Sequence, residues 1–475
     1  MRLELAVNTE IALPELLLQA GVLLDQRCGG RGVCRRCLVK IIAGNFITDG
    51  QTGCAPAVVP ACRTRMLGPN CTIEVALAQT VPLTDARSTI ATGNAAATTV
   101  PVAAVDLGTT TIQTLMMTPG APPRTASGFN RQLLFGDNVL DRISAVGQNP
   151  RYLAELQKLA ADSINALLEE LGAGQVRRIA VAGNTVMSCL LHGIDPGSIG
   201  VSPFRPPQTT FPAVSGAELG LTFCPDAEIL TLPAVSGFVG GDLVAGIAET
   251  RLKPGEMLVD LGTNCEMIFH SGTRLLASAA AAGPAFEGGK IGCGGRAISG
   301  AIDHIFADGH FSVIGGGQPV GGKLCGSALI DLLAVWRQTG RIDGNGRFQN
   351  GFQGHITTDI AVTEAEIAEL LSAKAAVFAG ITTLEAQAEC RIKKLYLAGN
   401  FACFLNFENA IAIGMLPDIE ILPVGNTSLA GAVQTALRGA PYLRELEKLS
   451  REPQALELSQ IPEFTAKFIA ALRLP

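Results

Sequence analysis

The chain has 475 residues, 36 Lys and Arg against 42 Asp and Glu, a formal net charge of −6 and a pI near 5.5. At about 150 residues per domain this is roughly three domains, enough for more than one core. Aromatic residues are only 5% of the chain, so the basic footprint and stacking platforms of a nucleic-acid binder are missing. The longest apolar run, residues 275–285, is shorter than the roughly 18–20 residues of a membrane span. The N-terminus lacks the basic-then-apolar pattern of a signal peptide. Thirteen cysteines, an odd number in a long chain, do not make a secreted disulfide framework. The expectation is a soluble cytoplasmic protein with neither nucleic acid nor membrane as a partner.

Residues 1–78 are expected to form a small redox domain. Six cysteines fall in the first 71 residues, with a tight group Cys28-Gly29-Gly30-Arg31-Gly32-Val33-Cys34-Arg35-Arg36-Cys37. Its glycines let a loop fold back so that three sulfurs converge. The spacing is one residue longer than that of a plant-type ferredoxin, pointing to a 2Fe–2S cluster. Cys62, ahead of a short strand at 71–75, is the preferred fourth ligand, as in a β-grasp ferredoxin; spacing alone leaves Cys54 open. Zinc is the competing metal, but a zinc ribbon usually presents two Cys-x2-Cys knuckles and this chain has one such pair. Arg31, Arg35, Arg36 and Arg63 stand beside these cysteines. They either tune the cluster or meet an acidic partner, or they form a solvated loop. Residues 79–99, rich in Ala, Thr and Ser, read as a flexible linker.

From Val100 onward the chain contains a repeat. Val102-Ala103-Ala104-Val105-Asp106-Leu107-Gly108-Thr109-Thr110-Thr111 is a strand ending in a Gly-Thr turn, and Met257-Leu258-Val259-Asp260-Leu261-Gly262-Thr263-Asn264 matches it. Each copy is followed, after a helix at 153–171 or 364–380, by a second shared phrase. These are Ile179-Ala180-Val181-Ala182-Gly183-Asn184 and Leu395-Tyr396-Leu397-Ala398-Gly399-Asn400. Repeated units of this kind predict two similar α/β lobes, 100–250 and 251–440, with 441–475 as a C-terminal extension. The two bare turns offer backbone N–H groups and Thr hydroxyls to phosphate oxygens. The Asp at each strand end offers a carboxylate for Mg²⁺. Thr111, Asn264 and Asn400 extend these motifs. Asp242, just after Gly240-Gly241, is either an N-cap or a group near Mg²⁺ or the attacking water. The loop from Gly283 to Gly289 reads as a phosphate- or adenine-side loop, with Glu287 as a ribose partner. The phrase from Gly425 to Ala432 reads as the opening of a close-packed helix. The later cysteines read as buried thiols.

These phrases resemble a known family. Asp106-Leu107-Gly108-Thr109-Thr110 and Asp260-Leu261-Gly262-Thr263 are similar to the two phosphate motifs of the acetate/sugar kinase, Hsp70 and actin (ASKHA) superfamily. Leu397-Ala398-Gly399-Asn400 is similar to its adenosine motif. A ferredoxin domain ahead of that fold resembles the reductive activators of corrinoid-dependent enzymes. The resemblance implies a multi-domain α/β chain: a β-grasp 2Fe–2S domain followed by duplicated actin-like lobes. It implies a cluster on Cys28, Cys34, Cys37 and Cys62, and Mg-ATP held by Asp106, Gly108, Thr109, Thr110, Asp260, Gly262, Thr263 and Gly399. The implied activity is ATP-driven transfer of an electron from a low-potential donor, through the cluster, to the cobalt of a corrinoid protein in a methyltransferase system. The first strand of the β-grasp hairpin is expected to be missing, since little precedes residue 9. Oligomeric state is left open, a homodimer included. Competing classes are a metabolite kinase with a ferredoxin appendage, an activator of radical dehydratases and a nucleotide-binding redox sensor.

Overall fold

The computed structural model describes residues 2–20, 22, 24, 30–32, 37–75, 98–262, 264–289, 291–319, 322–399 and 401–475. Cys28, Cys34, Thr263, Asn400 and nearly all of the expected linker lie outside the described residues.

The first unit contains β1 (Arg2–Ala6), β2 (Ile11–Ala12), α1 (Leu13–Gln19), β3 (Leu38–Thr48), β4 (Gln51–Cys54), β5 (Ala57–Pro60) and β6 (Thr64–Glu74). The described strands form one antiparallel sheet of order β1-β6-β3-β4, with β2 added to β6 and β5 to β3. Alternation along β3 and β6 turns Val39, Ile41, Met66 and Ile73 inward, where they meet Leu13, Leu16 and Leu17 of α1. Two short strands do precede α1, yet both pair with β6 and not with each other. The strand expected at 71–75 begins at Thr64, because residues 64–67 also find partners on β2 and β3.

The first lobe runs β7 (Val102–Leu107), β8 (Thr111–Met117), β9 (Arg124–Phe129), α2 (Val139–Gln148), α3 (Arg151–Glu170), β10 (Arg178–Ala182), α4 (Thr185–Leu191), β11 (Val214–Ser215), β12 (Glu228–Thr231) and α5 (Gly241–Thr250). The second runs β13 (Glu256–Leu261), β14 (Cys265–His270), β15 (Leu275–Ala280), β16 (Ile302–Ile305), β17 (Phe311–Val313), α6 (Gly326–Gln338), α7 (Glu364–Ala388), β18 (Lys394–Ala398), α8 (Phe407–Ala412), β19 (Glu420–Gly425), α9 (Thr427–Arg438), α10 (Ala440–Leu449), β20 (Gln454–Ala455) and α11 (Pro462–Ala471). The sheet orders are β11-β12-β10-β7-β8-β9 and β19-β18-β13-β14-β15-β20. In both, the first strand pairs antiparallel with the next and parallel with the strand after the long helix. The repeat read from the sequence is therefore a repeat of topology.

Helices α5 and α9 occupy equivalent places, each after the last parallel strand of its lobe, and pack on one another between the sheets. Small residues set the approach: a Cβ on Gly431 would stand 2.4 Å from the Cβ of Ala245. The close-packed helix expected after Gly425 is thus present. Helix α7 is long and apolar enough in composition to cross a membrane, but it packs against α11, β14 and β15 inside the second lobe. The segment beyond residue 440 is built into that lobe too. β20 pairs with β15, and the buried Lys374 ammonium of α7 donates to the Arg473 carbonyl at 2.6 Å.

Candidate functional site

Strand register assembles the first-unit thiols. Leu38 pairs with Pro60 across β3 and β5, so Cys37 and Cys62 flank the same end of that ladder. The turn between them closes through the Ala61 N–H donating to the Cys37 carbonyl at 2.9 Å. The Cys62 side chain beside it, helped by backbone N–H groups around Ala61 and Cys62, holds the Cys37 thiol down at about 6 against the effect of burial. A thiol biased toward thiolate by donors is what a metal ligand requires. Cys54 pairs with Asn45, far along β3, on the order of 25 Å from Cys37 at roughly 3.3 Å per residue. Cys71 is buried in β6, and burial pushes its thiol up. Arg63 is engaged by Asp49, its Nε 2.6 Å from Oδ1.

The second site is a cleft of about 300 Å³ between the lobes. Asp106 ends β7 and Asp260 ends β13, and both line it with Gly108, Thr109, Thr110, Thr111, Gly262, Asn264 and Gly399. The turns are bare for a geometric reason. A Cβ on Gly108 would stand 2.3 Å from the Thr111 carbonyl, and Gly399 (φ 97°) would bring one within 2.8 Å of the Asp260 carboxylate. Asn184 donates to the Thr109 hydroxyl at 3.2 Å, and Asn130 to the Gly108 carbonyl at 2.9 Å, so the first turn is held from behind.

Each strand-end aspartate has a cross-strand neighbour supplied by its hairpin. Asp106 faces Gln113 and Asp260 faces Glu266. Each also meets the helix that starts in the opposite lobe. Asn426, the N-cap of α9, donates to Asp106 Oδ2 at 2.7 Å, and Ser428 donates to Oδ1 at 2.7 Å. Asp242, in the first turn of α5, hydrogen-bonds Glu266. Burial lifts Asp106, while the Ser428 hydroxyl and Asn426 amide pull it back. Burial and the charges of Asp242 and Asp106 raise Asp260 to about 7. Asp242 rises to about 6, mainly through burial and against its bond with Glu266, and Glu266 rises well above the usual carboxylate range. Four carboxylates, Glu266 buried and Asp106, Asp242 and Asp260 partly buried, thus share a cleft that favours protons or a cation. Among the described residues no three His, Cys, Asp or Glu side chains form a ready ligand set for one ion. Mg²⁺ ordinarily takes one or two carboxylates and completes its shell with phosphate oxygens and water.

Asp242 is not the N-cap, which is Gly240; it belongs to the acidic group. Glu287 lines the cleft and accepts from the Thr110 hydroxyl at 3.1 Å, which puts it beside the first Gly-Thr turn. Gly283 opens the short turn Pro284–Glu287 with φ 71° and is not among the described residues lining the cleft. Cys189, Cys224, Cys265 and Cys293 are buried thiols, Cys325 is buried at the cleft wall, and Cys390 and Cys403 are only partly buried. Sequence reasoning missed Glu266, a lone acid in the apolar strand Cys265–His270, and the reach of Asn426 and Ser428 across the lobes. It also missed Arg296, which stacks over the Phe129 ring at 4.7 Å and adds positive charge to the cleft wall.

A duplicated sheet with one Asp-Gly turn from each copy facing a shared cleft defines a protein of the ASKHA class. More narrowly, the chain belongs to the RACo family: residues 102–254 match its middle region and residues 255–475 match the model described as the C-terminal domain of RACo, the ASKHA domain. It is 24% identical to the corrinoid activation enzyme RamQ of Eubacterium limosum, over 98% of this chain and 96% of that protein. It is 27% identical to the [Co(II) methylated amine-specific corrinoid protein] reductase of Methanosarcina barkeri, over 56% of this chain and 57% of that one. A solved structure described as a reductive activator for corrinoid, iron-sulfur protein superposes with a TM-score of 0.72 at 28% identity, covering 99% of this chain and 96% of that one.

Proposed function

We propose that this protein is an ATP-dependent reductive activator. It takes one electron from a low-potential donor onto a 2Fe–2S cluster and passes it to the cobalt(II) corrinoid of a partner protein in a methyltransferase system, restoring cobalt(I). Hydrolysis of ATP to ADP and phosphate accompanies the transfer. The observation that carries this reading is the interlobe cleft, lined by acids from both halves, in a chain whose matched relatives are named for corrinoid activation and reduction.

The first unit, residues 1–78, is read as the β-grasp-like ferredoxin domain, with Cys28, Cys34, Cys37 and Cys62 as ligands. The Cys37–Cys62 pair and its donors support that choice. When bound, the cluster supplies a one-electron carrier; plant-type centres lie near −400 mV. An electron moved uphill by about 100 mV costs roughly 2.3 kcal/mol by ΔG = −nFΔE. Differential affinity for ATP between an open and a closed arrangement of the lobes can supply that. In a closed arrangement Gly108, Thr109, Thr110, Gly262, Thr263 and Gly399 would hold the nucleotide, and Asp106, Asp260 and Asp242 with Glu266 would hold the Mg²⁺ that accompanies it. Residues 79–99 are read as the tether, 100–250 and 251–440 as the lobes.

The test is anaerobic. Reconstituted protein with a low-potential donor and a cobalt(II) corrinoid protein should lose the cobalt(II) EPR signal only when Mg-ATP is present. Equal loss of that signal without nucleotide would remove the coupling and leave a ferredoxin carrying a nucleotide site.

A further inference from the structure

The proposed function needs the nucleotide cleft and the first unit to sense one another, and helix α2 meets Thr109 on one side and Arg31 on the other. Its first turn carries two adjacent residues that leave in different directions. Asp141 faces the first unit: its Oδ1 stands 3.3 Å from the guanidinium of Arg31, inside the Cys28–Cys34 loop. Its other oxygen accepts from the Asn138 side chain at 2.8 Å, and Asn138 caps the helix through the Asp141 N–H at 2.9 Å. The carboxylate is therefore fixed by α2 before Arg31 reaches it. Gly136 (φ 119°) wraps the same side chain so closely that a Cβ there would stand 2.5 Å from the Asp141 Cβ.

Arg142 points the other way and is fully buried. Its Nη2 donates to the carbonyl of Thr109, in the first phosphate turn, at 2.5 Å, and to the Gly136 carbonyl at 3.3 Å. Nη1 donates to Gln132 Oε1 at 2.9 Å. One guanidinium thus ties the phosphate turn to the loop that cradles Asp141. A second mark of the same interface is repulsive: burial and the Glu15 carboxylate of α1 push Glu155 of α3 up. The Arg31–Asp141 pair, exposed on the Arg31 side, is weak by itself, and the like charges of Glu15 and Glu155 weaken the contact further.

We propose that α2 couples the two units: the Arg31–Asp141 pair docks the first unit on the first lobe, and Arg142 links that docked position to the turn at Thr109. The inference rests on the proposed function for its purpose, and linkage makes it reciprocal, so docking must change nucleotide affinity as much as nucleotide changes docking. The test is a double-mutant cycle on the full chain with its cluster, read as the Kd of a fluorescent ATP analogue with Mg²⁺. Arg31→Ala and Asp141→Asn should each weaken binding about twofold to fivefold, the range of a weak ion pair; Asn keeps the shape that Gly136 and Asn138 enclose. The double variant R31A/D141N should weaken binding no more than either single variant. R31A leaves α2 untouched, so a shift in that variant cannot come from a damaged helix. Unchanged Kd in both single variants, or additive losses in the double variant, would overturn the coupling. Cobalt reduction is scored separately: its absence in a chain whose Kd values follow this pattern counts against the proposed function alone.

Discussion

The two halves of the cleft are built on one plan and carry opposite electrostatics. In the first, Asp106 is flanked by the amide Gln113 and gripped by Asn426 and Ser428, all neutral donors or acceptors. In the second, the matching position beside Asp260 is Glu266, and the helix crossing from the other lobe brings Asp242. Position for position, Gln113 answers Glu266 and Ser428 answers Asp242. A duplicated scaffold has thus kept its geometry while the charge moved to one side. Asp106 is a carboxylate prepaid with hydrogen bonds; Asp260 sits among acids and has to share a proton or receive a cation.

The most severe way to break this comparison is to remove either strand-end carboxylate. Asp106→Ala and Asp260→Ala should each abolish Mg-dependent ATP hydrolysis, measured as phosphate release, while the visible spectrum of the cluster stays intact. Hydrolysis surviving in both variants would sink the two-turn phosphate clamp. Nearly as large is the effect expected at the thiols. Cys62→Ser should lose the two irons and two acid-labile sulfides expected for one cluster, whereas Cys54→Ser should retain them, because Cys54 sits at the far end of β3. Visible absorbance remaining in the Cys62 variant would move the fourth ligand elsewhere.

Much of this was legible in the chain, and the reason differs by region. The lobes announced themselves because Val-Asp-Leu-Gly-Thr, followed later by Ala-Gly-Asn, occurs once in each lobe in that order, and strand-turn chemistry is local. Asp106, Asp260 and Gly399 were readable for that reason. Glu266 was not, since it belongs to the site only through antiparallel register with Asp260. Asn426 and Ser428 were read as helix-opening residues, which they are, but their hydrogen bonds to Asp106 span more than 300 residues of sequence. Local pattern gives caps and turns; it does not give the partner that folding delivers from the other lobe. The nearness of Cys62 to Cys37 was not legible because spacing does not fix register, whereas the pairing of Leu38 with Pro60 does.

A smaller effect should come from exchanging the charge between the halves. Glu266→Gln makes the second half resemble the first, and Gln113→Glu does the reverse. Without Mg²⁺ at pH 8, Glu266→Gln should stabilise the chain by about 1–3 kcal/mol, because a neutral amide avoids both ionising a buried acid and taking up a proton on folding, and Gln113→Glu should destabilise it comparably. Chemical denaturation reads both. Mg-ATP should narrow the difference, because a bound cation supplies what Glu266 lacks. Stabilities that do not move in opposite directions would mean that the asymmetry is not electrostatic.

The smallest effect expected is in the pH dependence of the apo chain, and its sign is opposite to the usual carboxylate case. Asp260 and Asp242 have folded-state values raised to about 7 and about 6, above their ordinary range near 3.8. When both are ionised, above pH 7, the folded state bears the cost of burying them; in the unfolded chain that cost is absent. As pH falls through 7 and then 6 the folded state takes up protons that the unfolded state still refuses, so stability rises down to about pH 4 as far as these groups are concerned. The melting temperature of the metal-free chain should therefore climb by a few degrees between pH 8 and pH 5.5, since about 1 kcal/mol moves a domain of this size by roughly 2–4 °C. Asp242→Asn should flatten that climb, because it removes one acid and the repulsion it exerts on Asp260. Ser428→Ala should leave it in place, because Ser428 serves the half that already holds its charge with donors. A climb that survives in Asp242→Asn and vanishes in Ser428→Ala would assign the proton-sharing to Asp106 and reverse the comparison.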